Sequence, residues 1–347
     1  MASTATCTTT CSDSEPTEFI IPDFFSDFRY PMRLNPHCDV VSRACEEWLC
    51  SEAHLVEPRK TKYTSLLPGY FASSCYPDAD AFHLQVCADF LGWSFTVDDW
   101  LEIERSDVND AWGIRDCCMS AYRDPVNFQT DRYTGKMCKS YFGRYRETSG
   151  PGCTERFIHA MDLWFISAAK EVDNRAKGYV NDVESYIELR RDLSGCKSCF
   201  ALIEFASQID LPDEVVSHPV IKALEEATND FVSWSNDIFS YNQEQSHNST
   251  HNLVAVLMLD QGLDLQSAID RCGQLCKISL QRFEENRAIL PSWGEEIDKD
   301  VAIYVLGLQN WLAGPLQWTF TSARYFGKDA QIVKRDRTVK LLPKRPS

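Results

Sequence analysis

The 347-residue chain is short of positive charge: 35 Lys and Arg stand against 51 Asp and Glu, a formal net charge of −16. A nucleic-acid-binding protein needs a basic field to meet phosphates, so that class is disfavoured. No run of eighteen apolar residues occurs, and no helix spanning a bilayer is expected. The N-terminus, Met1-Ala2-Ser3-Thr4-Ala5-Thr6-Cys7, lacks the basic and then apolar stretches of a secretory signal. A cytoplasmic location is therefore expected, with the fifteen cysteines reduced. Cys196-Lys197-Ser198-Cys199 has no second CxxC at zinc-ribbon spacing and reads as buried small residues. Strict apolar–polar alternation is nearly absent, and so is any repeat of solenoid period.

What the sequence does have is helical periodicity, and the reading is all-α. Helices are expected over Val40–Ser51, Lys60–Ala72, Ala79–Arg105 with Asp78 as N-cap, Asn109–Arg123, Asp131–Arg146 and Thr154–Asp173. Others follow over Val180–Asp192, Cys199–Ile209, Val220–Glu244, His251–Gln261, Leu265–Asn286, Ser292 to about Ala313, and Pro315–Tyr325. Residues 1–17, rich in Thr and Ser, are expected to be a flexible tail, 18–326 the folded domain, and the basic stretch 327–347 a second mobile end.

The most informative stretch is Asn236-Asp237-Ile238-Phe239-Ser240-Tyr241-Asn242-Gln243-Glu244. Asn236, Ser240 and Glu244 lie four apart, twice over, so on a helix they share one stripe. Their donors are all hard oxygens, which suit Mg²⁺ completed by water and phosphate. The opposite stripe, Leu224, Ala227, Phe231, Trp234, Ile238 and Tyr241, is apolar and should face neighbouring helices. A second acidic motif, Asp98-Asp99-Trp100-Leu101-Glu102, follows the apolar run 90–97. Asp98 and Glu102 would share a face one turn apart, and a cation would relieve their repulsion. Together the two motifs can clamp a metal-bound diphosphate. A protein with this net charge needs such cations, and a few local arginines, to hold an anionic substrate.

Two further places fit that chemistry. Arg190 ends Tyr186-Ile187-Glu188-Leu189-Arg190 just before a Ser194-Gly195 break, and a guanidinium fork matches phosphate oxygens. Arg324-Tyr325 near the C-terminus offers another donor pair. Phe71, Phe95 and Trp318 are expected on a cavity wall, Phe95 and Trp318 facing a bound cation from different sides.

These motifs, in this order, resemble the class I terpene synthases, and residues 20–326 look like a fungal, basidiomycete-type sesquiterpene synthase. The resemblance implies a single-domain helical bundle around a central apolar cavity. It implies metal ligands at Asp98, Glu102, Asn236, Ser240 and Glu244, and a diphosphate-sensing arginine at Arg190. Arg324 and Tyr325 would complete the diphosphate site. It further implies three Mg²⁺ ions bound with the diphosphate of a linear prenyl substrate, farnesyl diphosphate foremost. Ionisation would give an allyl cation, which cyclises and loses a proton or captures water. The expected partner is that small molecule alone, with neither nucleic acid nor membrane, in a monomer or homodimer. The chain departs from the family at Glu102, where Asp is usual, at Gln243, where a basic residue is common, and at Leu193 and Ser194. Two rivals remain open from the sequence. A chain-elongating prenyl transferase would carry two aspartate-rich motifs, and this chain has one. A non-catalytic helical scaffold would not need the oxygen triad to coexist with Arg324-Tyr325.

Overall fold

The structure, a computed structural model, describes residues 16–26, 28–103 and 107–345, excepting the side chains of Glu102 and Ile103. Strand β1 (Glu18–Ile20) opens it, followed by helices α1 (Cys38–Glu52), α2 (Arg59–Thr64), α3 (Pro68–Cys75) and α4 (Ala81–Ile103). Next come α5 (Val108–Arg123), α6 (Tyr133–Thr148), α7 (Pro151–Ala176), α8 (Val183–Leu193), α9 (Cys196–Ser207) and the single turn α10 (Asp213–Val216). The last part holds α11 (Pro219–Ser246), α12 (Leu253–Gln261), α13 (Leu265–Ala288), α14 (Glu295–Thr319), α15 (Ala330–Asp336) and strand β2 (Thr338–Lys340). The all-α reading holds, with one two-stranded sheet added. Among the described residues no helix is long and apolar enough to cross a membrane.

Local chemistry sets the helix ends. Asp107, Asp182, Asn252 and Asp264 each accept a backbone N–H from the first turn of the helix that follows. At α4 the cap is Asp80, which accepts from His83 N at 2.9 Å. The expected cap, Asp78, instead pairs with Arg33. Pro219 starts α11, where its missing N–H costs nothing. The predicted apolar stripe of α11 is fully buried, and α11 packs on α13, α14 and α12. A cavity opens between α3, α4, α7, α9, α11 and α14, which all contribute to its wall.

Several helix ends shift by two or three residues, and three differences from the sequence reading go further. Lys60–Ala72 is not one helix: α2 stops at Thr64, and Leu67, in the left-handed region at φ 52°, turns the chain into α3. Ser292–Ala313 and Pro315–Tyr325 are not two helices: α14 runs unbroken through Pro315 and ends at Thr319. Proline forfeits one helical hydrogen bond, but here it sits on the cavity wall inside a helix buried on both flanks. Gly314 helps, because a Cβ there would lie 2.6 Å from Cys75 Sγ on α3. Third, residues 327–340 are not a mobile end. They form α15 and β2, and β2 pairs antiparallel with β1, Phe19 opposite Val339. Exposed Lys and Arg hide an inward apolar set, Val333 and Val339, whose burial holds the segment down.

Candidate active site

Residues of four elements meet at one end of the cavity. α4 brings Asp98, α8 brings Arg190, α11 brings Asn236, Ser240 and Glu244, and the turn after α14 brings Arg324 and Tyr325. All seven line the same space, which measures about 1500 Å³ with its mouth included. Glu102's side chain lies outside the described residues. The break after α8 is a Gly195 at φ +74°, a conformation that glycine adopts without strain.

The contacts are specific. Arg190 Nη2 donates to Asn236 Oδ1 at 2.8 Å, and its Nε donates to Asp237 Oδ1 at 3.0 Å. Asp237 Oδ2 also accepts from Tyr186 OH at 2.7 Å and Leu253 N at 3.1 Å. Asn236 Nδ2 donates to Tyr325 OH at 2.6 Å. Asn252, the N-cap of α12, donates to Glu244 Oε2 at 2.8 Å and to the Asp237 carbonyl at 2.7 Å. Arg324 Nη2 lies 3.5 Å from Asp98 Oδ2 and stands 5.0 Å above the Phe95 ring. The oxygen stripe of α11 and both arginines are thus joined in one polar network.

Asp98 and Asp99 have separate surroundings. Asp98 lines the cavity, whereas Asp99 pairs with Lys62 of α2 and is not part of the wall. The same α2–α3 corner accepts Trp318 Nε1 at the Leu66 carbonyl, 2.6 Å, and Ala323 N at the Ser65 carbonyl, 3.2 Å.

Charge is held here at a cost. Burial pushes the Glu244 carboxyl up to about 7, with Asp237 adding to the push and Asn252 opposing it. Burial also raises Asp98, and Arg324 offsets part of that. Glu171 on α7 is raised too, by burial first, with Arg175 opposing and Asp98 adding. His251 is driven down to about 3 by burial and by Arg190 and Arg175, so it is neutral. Among the described residues no three His, Cys, Asp or Glu side chains gather as a closed metal cage. The donors present, an amide oxygen, a hydroxyl and two partly exposed carboxylates with raised pKa, instead suit a hard cation that keeps open positions.

The rest of the wall is largely apolar and aromatic. Phe71, Phe95 and Trp318 all line it, but not from different sides. They form one cluster of near-parallel rings, with centroids 4.4 Å apart for Phe71–Trp318, 5.5 Å for Phe95–Trp318 and 6.1 Å for Phe71–Phe95, at interplanar angles of 17°, 9° and 17°. The correction follows from helix packing, because α3 packs against both α4 and α14 and so brings the three rings together. Trp93, Trp164, Trp311 and Met161 furnish other parts of the wall.

Sequence reasoning missed Asp237, Tyr186, Asn252, Glu171 and Lys62. For three of them a signal existed. Asp237 sits inside the Asn236–Glu244 stretch, Tyr186 lies one helical turn before Arg190, and Asn252 directly precedes the apolar run Leu253–Leu257, an N-cap position. Glu171 and Lys62 show no local pattern that separates them from surface charge or core.

Solved structures with this architecture include the linalool/nerolidol synthase of Streptomyces clavuligerus, TM-score 0.75 at 20% identity over 87% of this chain and all of that one. Germacradien-4-ol synthase of Streptomyces citricolor gives 0.74 at 23% identity over 84% and 97%. The fold is that of a class I terpene synthase. Residues 89–282 match the family model described as terpene synthase family 2, C-terminal metal binding. Sesquiterpene synthase Agr1 of Cyclocybe aegerita is 42% identical over 344 residues, 99% of each chain. Sesquiterpene synthase 1 of Postia placenta is 45% identical over 336 residues, 96% of this chain and 98% of its own. Alpha-muurolene synthase of Coprinopsis cinerea is 41% identical over 347 residues, 96% and 80%. The chain belongs to terpene synthase family 2 and, within it, to the sesquiterpene synthases of basidiomycete fungi. It is a terpene cyclase, a lyase, and its family's metal-binding half implies a divalent metal.

Proposed function

We propose that the protein ionises farnesyl diphosphate with Mg²⁺ and channels the farnesyl cation to a sesquiterpene. The observation that carries this reading is the placement of Asn236, Ser240 and Glu244 beside Asp98, Arg190, Arg324 and Tyr325 on the wall of a cavity rich in aromatic side chains. Asp98 would hold metal from one side, and the α11 stripe from the other. Bound with the diphosphate, three Mg²⁺ ions would supply the Lewis acidity that lets its C–O bond break.

The chain's own residues do the rest. Arg190 keeps its Nε on Asp237 while its Nη2 leaves Asn236 for a diphosphate oxygen, which frees the Asn236 oxygen. Arg324 and Tyr325 add donors at the same end. These fixed dipoles stabilise charge that develops as the bond opens. The stacked Phe71, Trp318 and Phe95 give the cation an aromatic wall, and the apolar depth excludes water. For proton loss the departing diphosphate is the stronger base: His251, with a pKa near 3, is a poor acceptor. Asp99, engaged by Lys62, is assigned no metal.

The test is incubation of the purified protein with geranyl, farnesyl and geranylgeranyl diphosphates, with Mg²⁺ or with chelator. The expected result is Mg²⁺-dependent diphosphate release and a C15 volatile from the farnesyl substrate. No diphosphate release from it, at saturating Mg²⁺, overturns the reading.

A further inference from the structure

The segment after Tyr325 is fastened to α11 by a side chain. Asn242 Nδ2 donates to the Lys340 carbonyl at 2.9 Å, and Asn242 Oδ1 accepts from Leu342 N at 2.8 Å. This is the two-bond pairing that a strand residue would make, presented by an amide on a helix. Gln245 Nε2 adds a bond to the Leu342 carbonyl at 2.8 Å, and Arg345 N donates to the Ser246 carbonyl at 2.7 Å. On its other edge the segment pairs with β1, and Leu341 N and Ile21 N extend that pairing to Thr17 and Arg337. β2 is therefore clasped between β1 and α11.

The clasp lies behind the candidate active site. Asn242 is two residues before Glu244, so at 100° per residue it leaves α11 on the far side from the oxygen stripe. Consistent with this, Ser240 and Glu244 line the cavity and Asn242 does not. Asn242 is nonetheless buried, at 6% exposure. The clasped segment leads straight back to the mouth: Phe326, next to Tyr325, stacks on Phe320 at 5.5 Å and meets Phe239 edge-on at 6.1 Å. Gln331 Nε2 donates to the Phe320 carbonyl at 2.6 Å. Arg324 and Tyr325 thus hang between the Ser65 carbonyl on one side and, on the other, the Phe326 and Gln331 contacts with the clasp beyond them.

We infer that Asn242 is a positioning residue for the reaction. By docking residues 340–342 on α11, it sets the register of the Arg324–Tyr325 turn against Asn236, Ser240 and Glu244. The α11 stripe and the Arg324–Tyr325 donors then ride on one helix, and the 2.6 Å Asn236–Tyr325 hydrogen bond is where that register is read. The inference rests on the diphosphate role proposed above for Tyr325.

The test is a double-mutant cycle in the full-length chain, Asn242→Ala with Tyr325→Phe, read as kcat/KM on farnesyl diphosphate. Two neutral hydrogen bonds are lost, and kcat/KM should fall about tenfold in Asn242→Ala. Tyr325→Phe should then cost markedly less on that background than on the wild type, because both changes act through one contact. Trypsin should cut after Lys340 faster than in the wild type. Asn242→Asp keeps the acceptor for Leu342 N and should show a smaller loss; it replaces Asn242→Ala in the cycle if that variant does not fold. Losses that simply multiply overturn the inference, as does unchanged kcat/KM beside faster cleavage after Lys340. Full activity of Tyr325→Phe alone sinks the role of Tyr325 and the inference with it. A damaged Tyr325→Phe beside an intact Asn242→Ala sinks the clasp only.

Discussion

Asp237→Asn is the substitution that the site geometry judges most sharply. The carboxylate has one oxygen on Arg190 Nε and the other on Tyr186 OH and Leu253 N. An amide offers one acceptor in place of two. Whichever way it is flipped, it turns an N–H toward Arg190 or toward Leu253 N, both obligate donors. It also removes the charge opposite a guanidinium whose side chain is only 14% exposed, next to a carboxylate at 3%. Breaking a buried pair from one side costs about 3 kcal/mol, the low end of the usual range because Asn236 remains as a partner. With unfolding entropy near 2.1 cal/mol/K per residue over 347 residues, each kcal/mol moves the melting temperature by roughly 1.4 °C. The metal-free variant should therefore melt about 4 °C lower. Arg190 would lose its aim, and kcat/KM should fall about a hundredfold. Circular dichroism melts of metal-free protein, beside single-turnover kinetics, read both numbers. A melting temperature within about a degree of wild type would show that Asp237 does not carry Arg190, and the network described here would have to be redrawn.

Glu244→Gln should abolish Mg²⁺-dependent turnover yet not destabilise the metal-free protein. The folded carboxyl, raised to about 7, keeps a proton that the unfolded chain sheds above about 4.5. Wild-type stability therefore drains as pH rises through that window, by up to about 1.4 kcal/mol per unit, so the variant should melt higher at about pH 8 and equally near pH 4. A lower melt at alkaline pH refutes this. Asp98→Asn should lose turnover far more than Asp99→Asn, since only Asp98 reaches the cavity; equal losses by steady-state assay would contradict the separation. Phe95→Leu and Trp318→Leu should still release diphosphate but shift products toward acyclic or early-quenched ones, because a ring face is worth up to about 2 kcal/mol to a nearby cation. An unchanged volatile profile in both would place the aromatic cluster outside the reaction.

Much of the molecule was legible from residue order alone, for a definite reason. Helical periodicity is a property of one short segment, so the spacing of Asn236, Ser240 and Glu244 already placed them on one stripe opposite Leu224, Phe231 and Ile238. A break at glycine and a cap at Asn or Asp are equally local. What the sequence could not determine is how segments rotate and meet. Asp98 and Asp99 are neighbours with the same side chain, and only the packing of α2 against α4 turns one to Lys62 and leaves the other to the cavity. Phe71, Phe95 and Trp318 stack because α3, α4 and α14 converge, a fact that no single helix encodes. The basic C-terminus reads as a loose end until β1, more than three hundred residues earlier, supplies its partner strand. Chemistry repeated within a few residues is written in the chain; contacts closed across long loops exist only once the core has chosen which faces touch.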